Sequence, residues 1–120
     1  MPPRETTRSD YAFSAIADPT RRAMLDYLAT RPRSAGEIVS HFPRISQPGV
    51  SQHLRVLREA QLISVTINAQ KRIYTLKPEG LKILHEWISK YQEFWTSKLD
   101  ALEEHLDSNK AKKQGAVPRK

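Results

Sequence analysis

Between residues 46 and 60, apolar side chains recur at Val50, Leu54 and Leu57, positions i, i+4 and i+7 of one helix face. The positions off that stripe, Gln47, Ser51, Gln52, Arg55 and Arg58, all carry hydrogen-bonding groups. Ser46 is a favourable N-cap, and Pro48 is tolerated because a first-turn N–H has no partner to lose. The same spacing predicts three shorter helices upstream. The first covers 11–17, with Phe13, Ile16 and Ala17 on one face. The second opens at Asp18-Pro19 and runs through PTRRAMLDYLATR, with Ala23, Met24, Tyr27 and Leu28 as its stripe. The third, AGEIVSHF, starts from the capping-box pattern Ser34-Ala35-Gly36-Glu37 and stops at Pro43.

Downstream the period changes to two. LISVTIN and KRIYTL flank Ala69-Gln70 and predict a β-hairpin, with Ile63, Val65 and Ile67 on one face and Ile73 with Thr75 on a face of the second strand. Pro78 then opens one long helix to about Leu106. Its apolar positions form two neighbouring strips, one through Leu81, Leu84, Ile88, Tyr91, Trp95, Leu99, Leu102 and Leu106, the other through Trp87 and Phe94. Two strips exceed what a lone helix of a small domain needs. Helix-to-helix burial against a second copy, through Leu84, Ile88, Tyr91, Trp95, Leu99 and Leu102, is the expected use. The alternative makes Trp87, Tyr91 and Trp95 an aromatic pocket for a small apolar effector.

The expected architecture is therefore mainly α with a small β-hairpin wing: a winged helix-turn-helix that dimerises through its terminal helices. A flexible N-terminus (1–8), the domain itself (9–107) and a basic disordered tail (108–120) divide the chain, whose 120 residues suit one domain. With no cysteine, disulfides and thiolate metal sites are excluded. The opening MPPRETTRSD has no signal-peptide character and no apolar run is long enough to span a bilayer, so a cytoplasmic protein without a membrane partner is expected.

A formal charge of +7 points to a polyanionic partner, and its distribution says more than its size. Residues 44–77 carry Arg44, Arg55, Arg58, Lys71, Arg72 and Lys77 against Glu59 alone, whereas 78–107 is acidic on balance. Glutamine can pair bidentately with adenine in the major groove, arginine with guanine, and serine with either. The outward face of residues 47–58 supplies those side chains. Lys71 and Arg72, beside the hairpin tip, suit the phosphate backbone or the minor groove. His53 lies near the buried stripe, so packing and DNA contact both remain open for it.

AIADPTRRAMLDYL, ISQPGVSQHLRVLREAQLI and the hairpin ending KRIYTLKPEGL together resemble the ArsR/SmtB family of winged-helix repressors. WISKYQEFWTSKLDAL is similar to the last helix of its metal-site-poor branch. The resemblance spans about 11–106 and implies a sequence-specific, homodimeric repressor on a palindromic operator, released by a signal. It also implies that Ser46, Gln47, Ser51, Gln52, His53 and Arg55 read DNA, with Lys71 and Arg72 as its wing contacts. Two positions depart from the family. Gln61 stands where a left-handed glycine is usual, and the wing tip lacks its glycine. A ligand-sensing or protein-interaction dimer that uses the scaffold with little DNA specificity is the alternative function.

No metal or other cofactor is expected. The family's third-helix metal site needs a Cys-x-Cys where this chain has Ser34-Ala35-Gly36. Its terminal-helix site needs Asp-x-His, but Ile83 precedes His85 and Thr96 stands where the second His belongs. Asp100, Glu103, Glu104, His105 and Asp107 read as solvated helix charge. Enzyme chemistry is excluded as well. Ser51 and His53 diverge by about 200° around a helix, and no glycine-rich phosphate loop is present.

Overall fold

The computed structural model describes residues 7–114. Six helices and three strands follow in the order α1 (Arg8–Ala17), α2 (Pro19–Thr30), β1 (Arg33–Ser34), α3 (Ala35–His41), α4 (Gln47–Glu59), β2 (Ile63–Asn68), β3 (Lys71–Leu76), α5 (Pro78–Ser89) and α6 (Gln92–Gln114). The chain divides into two compact units, Met1–His85 and Glu86–Lys120.

In the first unit, short-range caps start the helices. Thr7 and Asp10 form a capping box, which begins α1 earlier than residue 11 and draws Arg8 out of the expected flexible segment; residues 1–6 lie outside the described residues. Asp18 accepts the Arg21 N–H at 3.0 Å to start α2. Ser34 and Glu37 form the expected box on α3, and Ser46 caps α4. The buried face of α1 differs from the expected one. Ala12 and Ala15 are fully covered, whereas Phe13 and Ile16 are half-buried and Ala17 is exposed. Methyl-sized side chains let α1 approach α2 and α4 closely, and larger groups are left at the margins. On α2, Met24 and Leu28 are buried as expected, but Ala23 is exposed.

The core gathers Met24, Leu28, Ile38, Val50, Leu54, Leu57, Leu62, Ile63 and Tyr74. Its sheet has three strands rather than two, in the antiparallel order β1-β3-β2. With two residues, β1 is too short to show any alternation. It pairs Arg33 with Tyr74 and Ser34 with Ile73, tying the hairpin's base to the start of α3. Opposite it, β2 pairs Ile63 with Leu76 and Val65 with Tyr74. Tyr74 is thereby sunk in the core, while Ile67 near the hairpin tip is 74% exposed.

The two positions where the resemblance implies glycine both adopt left-handed backbone, Gln61 at φ 60 and Ala69 at φ 58. Gln61 closes α4 in a Schellman turn, with Leu62 N–H on Leu57 O and Gln61 N–H on Arg58 O, both at 3.0 Å. Its side chain also accepts a hydrogen bond from Lys77. The next helix docks on this turn. Gly80 donates to Gln61 O at 2.8 Å, and a Cβ at residue 80 would lie 2.6 Å from Ala60 O.

In the second unit, the single long helix expected from Pro78 onward is interrupted. Lys90 and Tyr91 donate to Trp87 and Ile88, three residues back, before Trp95 resumes the four-residue step onto Tyr91. No proline or glycine marks the break, and the apolar spacing runs across it unchanged. Helix α6 continues through Gln114, past the expected end of order at residue 107; residues 115–120 of the expected tail lie outside the described residues. Among the described residues, no helix is long and apolar enough to cross a membrane.

Candidate nucleic-acid interface

Helices α3 and α4, joined by residues 42–46, make the helix-turn-helix. The turn is held by Phe42 N–H on Ile38 O at 3.2 Å and Ile45 N–H on Phe42 O at 3.1 Å. On α4 the inner stripe is sealed, with Val50, Leu54 and Leu57 at 1%, 3% and 0% exposure. Because the helix repeats every 3.6 residues, this docking turns Gln47, Ser51, Gln52 and Arg55 outward, and all four are exposed. Ser46, exposed at the start, accepts the Gly49 N–H at 3.1 Å and keeps its hydroxyl hydrogen for donation. Arg55 meets Glu59 at 3.6 Å, with both side chains more than half exposed. Such a pair is worth at most about 1 kcal/mol and yields readily to a phosphate or base.

His53 is placed between its two readings. It is half-buried, and its Nδ1 lies 3.4 Å from Arg21 Nη1. Lys71 and Arg72 are exposed next to the two-residue loop, opposite Asn68 and Ile67 respectively. The exposed residues of α4 and the hairpin's Lys71 and Arg72 thus belong to the same compact unit.

Sequence reasoning missed the framework around these groups. Arg33 sits 4.0 Å above the Tyr27 ring, and His41 stacks on that ring at 3.9 Å. Glu37 bonds Arg31 at 2.7 Å and the Ser34 N–H at 3.1 Å. These contacts, the arginine first, hold its carboxyl at about 2, well below the usual carboxylate range. At Ser34-Ala35-Gly36, where the resemblance would put a Cys-x-Cys, the Ser34 hydroxyl accepts the Glu37 N–H at 3.1 Å. Among the described residues, no three His, Asp or Glu converge as a metal site. An open groove of about 860 Å³ runs between this segment and the wing, with Tyr27, Ser40 and His41 on one side and Lys71 and Arg72 on the other.

In the second unit Ile88, Tyr91, Trp95, Leu99 and Leu102 are exposed, as are Trp87, Phe94 and Leu106. The Trp87 and Tyr91 rings touch at 5.3 Å. Leu84, grouped with these residues from spacing alone, instead packs against the core of the first unit.

Comparison with known proteins places this geometry. Residues 16–66 match the helix-turn-helix domain family. The HTH-type transcriptional regulator Rv2034 of Mycobacterium tuberculosis is 39% identical over 99 residues, 82% of this chain and 89% of that protein. The transcriptional repressor SdpR of Bacillus subtilis is 41% identical over 76 residues, 63% of this chain and 83% of its own. Among solved structures, the ArsR family transcriptional regulator RHA00566 superposes with a TM-score of 0.68 at 26% identity, covering 78% of this chain and 96% of that one. Identity sustained across most of both chains establishes kinship beyond a shared fold, and the chain belongs to the ArsR/SmtB family of winged helix-turn-helix, DNA-binding transcriptional regulators.

Proposed function

We propose that the protein is a cytoplasmic homodimeric repressor that grips a palindromic operator. Each subunit lays Gln47, Ser51, Gln52 and Arg55 against base edges in a major groove, with Ser46 and His53 at its flank. Lys71 and Arg72 follow the adjoining backbone or minor groove. The observation that carries this reading is the two-sidedness of α4. Its apolar stripe is sealed, and among the exposed side chains of the helix every one but Pro48 carries a hydrogen-bonding group. The repressor named among the relatives supports the direction of regulation.

A second copy is the natural cover for Ile88, Tyr91, Trp95, Leu99 and Leu102, since apolar side chains in such a row are rarely left to water. Two-fold symmetry of the protein then requires inverted half-sites about 10 bp apart, or a multiple of that. Selection from a random DNA pool tests grip, palindromy and spacing together. Recovery of an inverted repeat bound by two subunits is the expected result; recovery of no sequence would leave a protein-interaction module in its place. The ligand-sensing alternative, an aromatic pocket of Trp87, Tyr91 and Trp95, has one supporting observation: the Trp87 and Tyr91 rings lie 5.3 Å apart.

A further inference from the structure

The last four carbonyls of a helix have no partner within it. In α1 these belong to Ser14, Ala15, Ile16 and Ala17, and two consecutive arginines of α2 take all four. Arg21 donates through Nη2 to Ser14 O at 2.9 Å and through Nε to Ala15 O at 2.7 Å. Arg22 donates through Nη1 to Ile16 O at 2.7 Å and Ala17 O at 3.2 Å. The corner is reciprocal, because Asp18 caps α2 through the backbone N–H of Arg21. Arg22 ends there. Arg21 has one nitrogen left, and Nη1 faces His53 Nδ1 of α4 at 3.4 Å.

A guanidinium only donates. Nδ1 of His53 must then accept, so in the neutral ring the hydrogen resides on Nε2. We propose that Arg21 is a positioning residue for the reading helix: clamped on the end of α1, it sets the seat of α4 and holds His53 as the Nε2–H tautomer. His53 then offers an N–H donor from the flank of the reading face. The inference deepens the operator-binding reading above and rests on it for its effect on DNA. It also gives α1 a mechanical link to α4 that passes through one side chain.

Arg22 supplies the matched control, since Arg21→Ala and Arg22→Ala each remove two carbonyl bonds from α1. Both variants are expected to lower the melting temperature alike, but Arg21→Ala is expected to lower affinity for the selected operator about tenfold more than Arg22→Ala does. Affinity for random DNA, measured in parallel, is expected to fall equally in the two, since each loses one charge. Long-range proton–nitrogen NMR of the wild-type protein, at a pH where the imidazole is neutral, reads the tautomer without any variant. A hydrogen on Nε2 is expected. A hydrogen on Nδ1, or equal operator losses in the two variants, overturns the proposal. Failure of the wild type to select any operator would instead overturn the function proposed above, and the NMR result would still decide the seat of His53.

Discussion

Helix α4 and helix α6 both carry apolar side chains every three or four residues, yet their surroundings differ. In α4, Val50, Leu54 and Leu57 are closed over by the chain itself, through contacts with α1, α2, α3 and β2. In α6, Trp95, Leu99, Leu102 and Leu106 stay at 50–54% exposure. The polar sides differ too. That of α4 is free of acids until Glu59, whereas that of α6 carries Glu93, Asp100, Glu103, Glu104 and Asp107. Periodicity alone therefore marks a face that needs covering without naming what covers it. Under the proposed function, the exposed polar face of α4 meets DNA, whereas the exposed apolar face of α6, flanked by acids that disfavour DNA, meets a second copy.

The largest effect is expected from charge on the uncovered stripe. Leu99→Glu should turn a dimer into a monomer in analytical ultracentrifugation and weaken operator binding by about 100-fold or more, through loss of the second half-site. A dimer that survives the change would move the subunit contact off α6. Next comes the covered stripe. Leu57→Ala should destabilise the fold by about 2–5 kcal/mol, read from denaturant midpoints. This loss should not depend on protein concentration, whereas the destabilisation caused by Leu102→Ala should shrink on dilution as the dimer dissociates. Like behaviour of the two leucines would erase the contrast drawn between their helices.

Smaller changes divide the polar face. Arg55→Ala should weaken the operator by about 1–3 kcal/mol and relax the preference at one base position. By contrast, Arg72→Ala should weaken all DNA similarly and reduce the salt slope by about one unit. Equal losses on operator and random DNA for Arg55→Ala would reassign that residue to the backbone. The smallest effect concerns α3, which helps seat α4. The carboxyl of Glu37 titrates at about 2 in the folded chain against 4.5 ordinarily, so its stabilisation is complete above about pH 4.5 and disappears as pH falls to about 2. Wild type and Glu37→Gln should therefore differ in melting temperature at neutral pH and converge near pH 2.

Most of the first unit was legible because its signals are short-range. Ser34, Ser46 and Asp18 each act on a backbone N–H three residues away, so the cap is written next to the helix that it starts. The stripe of α4 was legible for the same reason. The exposure of Gln47, Ser51, Gln52 and Arg55 followed from it, because covering one side of a helix dictates the other. The framework was less legible. Arg21 and Arg22 look like two more surface charges until α1 is packed beside them, and the burial of Tyr74 depends on its register opposite Val65.

By itself, the sequence determined the starts of α2, α3, α4 and α5, the stripe of α4, the two hairpin strands and the family. Each of these rests on interactions within a few residues, or on a period that a linear pattern displays. Tertiary packing alone decided that alanines rather than Phe13 face the core, that Arg33 and Ser34 form a third strand, and that Leu84 belongs to the first unit's core. It also decided where the long terminal helix breaks. The physical reason is common to all of these. Close approach, strand pairing and the filling of orphaned carbonyls depend on what lies opposite a residue, and that neighbour is chosen by the fold as a whole rather than by adjacent positions in the chain.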